Sequence, residues 1–283
     1  MSQSLKTGTY FGQCAHAYRC AHGVLTDVAH SCGCALPEHG HERAYISLLV
    51  SGSYRETIQG KEFTYRPMDA VFHPLGALHS DTVGTAGARF ICMEFLPQED
   101  WGSDSREWHP HFLPADLSVL MIRLYRHLRQ DSLCPTIMES SVIELLGSAL
   151  EKERLEERRF PRWIRHCLDY IDAKYATAIT VRGLAAELNV HPVHVAREFR
   201  RRFGETIGEY VNKTRLRAAC NQLLTGNDQL ADVAATNGFY DQSHFVRVFR
   251  AQLGCVPSEF RRLTSRESRD DARSNRRVAT PHQ

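Results

Sequence analysis

Cysteine and histidine side chains recur at short spacings near the start of this 283-residue chain. Cys14-Ala15-His16 and Cys20-Ala21-His22 repeat a Cys-x-His unit, and Cys32-Gly33-Cys34 follows. Thiolates and imidazoles together suit a soft metal ion. The alternative is structural, because cysteine at alternate positions is also a small buried side chain. Nine cysteines without a basic-then-apolar leader favour free thiols in a reducing cytoplasm.

Arginine is the second side chain whose distribution points to a chemistry. Residues 1–157 carry 13 Lys+Arg against 20 Asp+Glu, a net charge of −7, whereas residues 158–283 carry 22 against 13, a net charge of +9. Nearly all cations of the second half are arginines, whose forked guanidinium groups match phosphates and guanine edges. We therefore expect a nucleic-acid partner for this half, with a solvated basic face as the alternative.

Other chemistries lack a motif. The sequence shows no Ser/His/Asp or Cys/His arrangement, no phosphate-binding glycine loop and no reactive-cysteine motif of a DNA-repair methyltransferase. The mean hydropathy is −0.38, and no apolar run reaches the length that a membrane helix needs. We expect a cytoplasmic protein with no membrane partner.

The elements that must position these residues differ between the two halves. From about Ser31 to Phe95, short runs of alternating or apolar residues predict strands at 44–50, 54–58, 62–65, 70–73 and 88–95. Ser51-Gly52-Ser53 predicts a tight turn between the first two strands. Closely spaced short strands indicate a small barrel or sandwich.

Two amphipathic helices follow Pro114. The first carries apolar residues at helical spacing, and the second repeats the pattern: Leu117, Leu120, Met121, Leu124 and Leu128, then Ile143, Leu146 and Leu150. Such a pair either covers an open sheet or forms a dimer interface, and we expect a homodimer through these faces. Phe160-Pro161 marks the boundary, because proline stops one helix and suits the first turn of the next.

The basic half is helical, with helices predicted at 162–174, 181–188, 192–203, 207–224, 230–236 and 242–253, and it contains an internal repeat. At an offset of 49 and then 50 residues, Leu184-Ala185, His194, Arg197, Phe199 and Gly204 recur as Val233-Ala234, His244, Arg247, Phe249 and Gly254. Each copy combines a short helix, a turn at Asn189 or Gly238, and an arginine-bearing helix. Apolar residues four apart, Val195 and Phe199 or Phe245 and Phe249, predict the buried stripe of that second helix. Thr180 and Asp241 are candidate N-caps. The repeat therefore predicts two helix-turn-helix units.

These residues resemble the AraC/XylS family of transcription regulators. The resemblance covers about Ile164 to Arg262 and is strongest from Gly238 to Arg250, with Gly254, Pro257 and Phe260-Arg261 closing the motif. The first unit departs from the family pattern, because His191-Pro192-Val193 stands where a serine or threonine cap is usual.

The resemblance implies which side chains contact a DNA operator. The implied base contacts are Val193, Ala196 and Arg197 in the first unit and Gln242, Ser243, Val246 and Arg247 in the second. The implied phosphate contacts are Arg200, Arg201 and Arg250. Arginine with guanine and glutamine with adenine are the natural hydrogen-bonding pairs.

The strand-rich half looks like the cupin-like barrel that often accompanies this DNA-binding domain. Gly33-x5-His39-Gly40-His41 matches the start of the first cupin motif, and the segment from Pro67 to His79 resembles the second. By resemblance, His39, His41 and His79 line an effector pocket or hold a divalent metal. The glutamate position of the motif falls near Tyr45, so we expect the carboxylate ligand to be missing.

Together these patterns predict a two-domain α+β protein. The expected domains are a cupin-like sensing barrel at 1–113, dimerising helices at 114–159, an all-α double helix-turn-helix at 160–263 and a disordered tail at 264–283. The expected function is sequence-specific transcription regulation, as activator or repressor, on double-stranded DNA. A small effector controls it, no cofactor is required, and RNA polymerase is a partner of an activator. The alternatives are a metal-dependent cupin enzyme and an architectural DNA binder without a sensor.

Overall fold

The computed structural model describes residues 3–31, 33–96, 113, 115–129, 134–157 and 161–262. The strands are β1 (Gln3–Leu5), β2 (Gln13–Cys20), β3 (Gly23–His30), β4 (Ala35–His41), β5 (Tyr45–Ile58), β6 (Lys61–Tyr65), β7 (Ala70–His73) and β8 (His79–Phe95). The helices are α1 (Ala115–Leu128), α2 (Pro135–Glu157), α3 (Arg162–Lys174), α4 (Val181–Glu187), α5 (Pro192–Phe203), α6 (Ile207–Thr225), α7 (Leu230–Thr236) and α8 (Gln242–Leu253). The strands precede the helices, which gives a two-domain α+β layout.

The eight strands form one sheet that is organised around its two longest members. β8 pairs with β3, β4 and β5, while β5 also pairs with β6 and β7. The pairing of β5 with β8 shifts register between Leu49 and Ser51 and again between Gly52 and Tyr54. Such bulges bend a strand and increase its twist, so the sheet curls into a half-barrel.

The prediction of a tight turn at Ser51-Gly52-Ser53 is wrong, because β5 continues through these residues without reversing direction. Gly52 has φ +85°, and a Cβ there would lie 2.0 Å from the Gly87 carbonyl oxygen on β8. The glycine is therefore required for a bulge and a close backbone approach rather than for a chain reversal. The sequence prediction also missed β1, β2 and β3, which precede the predicted strand region.

The predicted apolar face of α1 is covered by the chain itself. Leu117, Met121 and Leu124 are fully buried, and they belong to one hydrophobic cluster with the sheet, α2 and the second half of the helical region. Arg129, just after α1, contacts Asp27 of β3 at 3.3 Å. This face therefore covers the sheet, and the prediction that it forms the dimer interface is wrong.

The helices of the basic half form two groups. The first unit has its own cluster, which includes Leu184, Val195 and Phe199, whereas the apolar residues of the second unit join the cluster around α1. None of the described helices has the length and apolarity needed to cross a membrane.

Candidate nucleic-acid interface and a buried histidine cluster

The first helix-turn-helix unit is formed by α4 and α5. Thr180 caps α4, because its hydroxyl accepts a hydrogen bond from the Gly183 amide at 3.0 Å. Asn189 adopts φ +52° in the turn, as a short polar side chain tolerates. Val195 and Phe199 of α5 are fully buried against Ala185, each contributing about 1.5–3 kcal/mol of hydrophobic stabilisation. The opposite face of α5 is left in solvent.

The second unit repeats this construction with α7 and α8. Asp241 caps α8 and accepts a hydrogen bond from the His244 amide at 2.6 Å. Gly238 has φ +75°, and a Cβ there would lie 2.5 Å from the Ala176 carbonyl oxygen. Phe245 and Phe249 are fully buried and hold α8 in place. The predicted caps, turn residues and buried faces are therefore confirmed.

A single rigid helix, α6, separates the two units. Its 19 residues span about 28 Å at about 1.5 Å per residue. Thr206 and Glu209 form a reciprocal capping box at its start. Arg215 donates hydrogen bonds to the Tyr175 and Thr177 carbonyl oxygens at 2.7 and 2.8 Å, which attaches α6 to the segment after α3.

The proposed DNA-contacting side chains lie on the solvent faces of α5 and α8. All are exposed except Val246, which is half-buried: Val193, Ala196, Arg197, Arg200 and Arg201 on α5, and Gln242, Ser243, Val246, Arg247 and Arg250 on α8. The five residues on α8, together with Ala251 and Val256, line one shallow groove. The side chains that the resemblance implies are thus presented together on α8.

The exposed arginines differ in how far the protein already neutralises them. Arg201 donates to the Glu198 carboxylate from Nε at 3.2 Å and from Nη2 at 2.7 Å. Arg197 contacts His194 at 3.5 Å. Within the described ranges, the side chains of Arg247 and Arg250 have neither a hydrogen bond nor an ion pair. The cations of α8 are therefore freer to meet phosphates or bases than Arg201 of α5.

Tyr240 is a surface residue that the sequence prediction did not select. Its side chain is 92% exposed, directly before the Asp241 cap of α8. An aromatic ring left in solvent at the start of a reading helix is unusual, because large aromatic side chains are mostly buried. The sequence feature that could have identified Tyr240 is its position between the buried Phe239 and the Asp241 cap.

The sheet encloses a second group of polar side chains. His39 and His41 come from β4, His73 from β7 and His79 from β8, and each is at most 4% exposed. Single ligand nitrogens of His39, His41 and His79 all lie within 4.8 Å of one another. The sheet thus brings the three predicted histidines together and adds a fourth.

Two carboxylates lie in the same cluster, although neither occupies the glutamate position of the motif. Tyr45 occupies the expected glutamate position, with its ring 4.6 Å from that of His41. Glu56, further along β5, and Asp81 of β8 are buried beside His79 and form a second potential ligand group with it. Strand pairing, rather than local motif spacing, supplies these carboxylates.

Burial controls the protonation of the cluster. It lowers the pKa of His41 to about 2 and that of His79 to about 3, since an imidazolium loses its hydration there. Burial, together with the neighbouring Glu56 charge, raises the pKa of Asp81 to about 8. Burial also acts to raise the pKa of Glu56, but His73, His79 and the Tyr65 hydroxyl lower it to about 2.

The cysteines lie elsewhere. Cys14 is exposed, Cys20 and Cys34 are half-buried, and Cys32 lies outside the described residues. Among the described side chains, the possible metal-ligand groups contain histidine and carboxylate but no thiol. The Cys-x-His units therefore do not assemble a thiol–imidazole site.

Comparison with known proteins places the helical half in a family. The helix-turn-helix domain family matches residues 184–263. The HTH-type transcriptional activator AarP of Providencia stuartii is 31% identical over 98 residues, which cover 35% of this chain and 73% of AarP. The HTH-type transcriptional activator RhaS of Escherichia fergusonii is 24% identical over 249 residues, covering 80% of this chain and 88% of RhaS.

The name of a third relative includes both a regulatory and an enzymatic activity. The bifunctional transcriptional activator/DNA repair enzyme AdaA of Bacillus subtilis is 29% identical over 105 residues, covering 37% of this chain and 50% of AdaA. This chain thus matches only half the length of AdaA. With its paired helix-turn-helix units and its similarity to AarP over most of that protein's length, the chain belongs to the AraC/XylS family of transcription regulators.

Proposed function

We propose that this protein is a sequence-specific regulator that reads duplex DNA with α5 and α8 and is controlled by a small effector in the N-terminal half-barrel. One observation carries the proposal. Each unit buries one face of its second helix and leaves arginine side chains on the opposite face, which in α8 also carries Gln242 and Ser243. That division between a buried stripe and a hydrogen-bonding face is what a major-groove reading helix requires.

The specific contacts are also part of the proposal. Arg247 and Gln242 project from the first turns of α8, where a recognition helix meets base edges, and would hydrogen-bond guanine and adenine. Val193 and Ala196 of α5 offer apolar contact to a thymine methyl group. Arg200 and Arg250, together with Arg201, would contact phosphates.

Domain organisation, assembly and compartment follow from the same proposal. We place the sensing region at 1–113, the connecting helices at 114–159 and the DNA-binding region at 160–263, in a cytoplasmic protein. The proposed boundary at 159–160 and the tail at 264–283 lie outside the described residues. The activator names of AarP and RhaS support activation, with RNA polymerase as the partner.

A homodimer remains part of the proposal, but through a different face. Ile137 and Ile143 of α2 are 45% and 54% exposed. They are apolar side chains of the helical pair that the chain does not cover. The side chain of Leu150, which the sequence prediction included, lies outside the described ones.

An enzymatic role for the cluster is the second candidate, and the cavity volume opposes it. The space between the histidines and the surrounding Tyr10, Tyr54 and Phe90 amounts to about 40 Å³. Pockets that enclose organic ligands measure about 300–1,000 Å³. We therefore propose a regulatory role for this cluster rather than turnover of an organic substrate.

The test is selection of binding sites from randomised duplexes by the full chain, followed by titration of the selected duplex. We expect a defined consensus, and an affinity that falls steeply with salt because neutralised phosphates release counterions. Arg55→Ala is the control, since Arg55 is an exposed arginine of β5 in the sensor half. Equal binding to selected and scrambled duplexes would show that the proposed sequence reading is wrong.

A further inference from the structure

The imidazoles of His39 and His79 are oriented by backbone carbonyl groups. His39 Nδ1 lies 2.9 Å from the Pro37 carbonyl oxygen, and His79 Nδ1 lies 3.1 Å from that of Ala77. A carbonyl oxygen only accepts, so each Nδ1 carries the proton and donates it. Each Nε2 therefore keeps an unprotonated lone pair, and that of His79 lies 3.5 Å from the Tyr45 hydroxyl, which donates to it. Metal-binding histidines are commonly oriented in this way by a donated second N–H.

Both Nε2 atoms face the same carboxylate oxygen. The Nε2 atoms of His39 and His79 each lie 3.9 Å from Asp81 Oδ2. That distance is too long for a hydrogen bond. It is shorter than the combined length of two metal–ligand bonds of about 2.0–2.2 Å each, so one ion can reach this oxygen and both nitrogens.

The two carboxylates of the cluster, Glu56 and Asp81, differ in the hydrogen bonds that they accept. Glu56 accepts a hydrogen bond from His73 Nε2 at 3.0 Å and another from the Tyr65 hydroxyl. Neither oxygen of buried Asp81 accepts a hydrogen bond of good geometry, although the Tyr54 hydroxyl lies beside it. Nδ1 of His41 is likewise buried without a hydrogen bond, 3.9 Å from the Glu94 carboxylate. A buried polar atom without a partner costs about 1–3 kcal/mol. Asp81 and His41 therefore have donor atoms available for an ion, whereas Glu56 is already engaged.

The size of the enclosed space limits what the cluster can bind. A cavity of about 40 Å³ has room for an ion with a bound water, since one water needs about 10–15 Å³ on this measure. Three imidazoles and one carboxylate suit Zn²⁺, Fe²⁺, Co²⁺ or Ni²⁺ better than Mg²⁺ or Ca²⁺, which prefer all-oxygen ligands.

We propose that His39, His41, His79 and Asp81 form a site for one divalent first-row transition metal, and that this metal is the effector of the regulator. Asp81, two residues after His79 on the same face of β8, replaces the carboxylate that Tyr45 removes. The regulatory role of the metal rests on the proposed function, whereas binding of the metal does not.

The experiment is a titration of the chelator-treated full chain with Co²⁺, followed by visible absorption, with Zn²⁺ as competitor and metal content measured by mass spectrometry. We expect one equivalent of Co²⁺ with ligand-field bands, displaced by one equivalent of Zn²⁺. His79→Gln and Asp81→Asn should each weaken binding at least about tenfold, as even outer-shell changes do in metal sites. His30→Gln, at a cavity-lining histidine outside the ligand group, should bind like the wild type.

Each result decides the proposal. A wild-type chain that takes up no stoichiometric metal overturns it whatever the variants do. Full binding by Asp81→Asn, which preserves the side-chain shape, removes Asp81 from the site, and full binding by a folded His79→Gln places the metal elsewhere. Binding of the selected duplex, measured on the same samples with and without Zn²⁺, separates the two proposals. Metal binding that leaves DNA affinity unchanged overturns the effector role alone, whereas sequence-independent DNA binding counts against the proposed function.

Discussion

Arg247→Ala is expected to remove one base contact without destabilising the protein. The guanidinium is exposed on α8 and has no ion pair or hydrogen bond in the described ranges, so its loss leaves no buried group unpaired. A bidentate contact to guanine is worth about 1–3 kcal/mol, which corresponds to about 5- to 150-fold in affinity at the cognate base. The melting temperature should stay at the wild-type value.

The assay is binding-site selection with wild type and variant, followed by titration of duplexes that carry each base at the affected position. Loss of preference at one position identifies the contact. Arg250→Ala is the matched comparison, because Arg250 is equally free on α8 but is proposed to hold a phosphate. It should weaken all sequences alike and lower the slope of log K against log salt by about one unit. Arg201→Ala should change that slope less, since Glu198 already pairs with Arg201.

The reasoning would be refuted if Arg247→Ala kept the full wild-type preference at every position. Arg247 would then be a solvent-facing or backbone-contacting charge. A fall in melting temperature would refute a different step, namely that this side chain contributes nothing to the fold.

Three further predictions concern how α8 is held in place and which face forms the proposed dimer. Gly238→Ala should lower the melting temperature and DNA affinity together, because its Cβ meets the Ala176 carbonyl oxygen and its φ is positive; unchanged values would contradict the close approach. Asp241→Ala should cost about 1 kcal/mol of unfolding free energy through loss of the α8 cap, measured by urea denaturation, and a wild-type curve would count against the cap. Leu124→Glu should prevent folding, since it places a charge in the core, whereas Ile143→Glu should fold and give monomers in analytical ultracentrifugation. A dimeric Ile143→Glu would exclude the exposed α2 face.

The helical half was predictable because its determinants are local. The apolar pair at positions i and i+4, the Thr180 and Asp241 caps and the turn residues Asn189 and Gly238 each act within one or two helical turns. Predicted and observed bounds of α3, α5, α7 and α8 agree to the residue. Because of the internal repeat, the same local patterns occur in both units and support the prediction twice. What the sequence did not reveal is how strongly Glu198 neutralises Arg201, because rotamer choice determines that contact.

The strand half was less predictable, because its determinants are pairs of distant residues. Strand β2 is mostly exposed and rich in cysteine and histidine, so it lacks the apolar alternation that marks a half-buried strand. Gly52 within β5 carried a turn signal, yet the chain can continue there because β8 presents Gly87 opposite it. No local pattern distinguishes a glycine that bends a strand from one that reverses it.

The strand register explains why the sequence prediction did not find the carboxylates of the histidine cluster. In the sheet, His39 of β4 stands opposite His79 of β8, and Glu56 of β5 stands opposite Asp81 of β8. Because side chains two apart on a strand share a face, His79 and Asp81 project into the same interior. Register across three strands therefore brings together residues separated by up to 42 positions in the chain. A motif search that seeks the carboxylate a fixed number of residues after His41 finds Tyr45 instead. The ligand chemistry of this half-barrel consequently depends on strand pairing, and a shift of one residue in the register of β8 would turn both His79 and Asp81 away from the cluster.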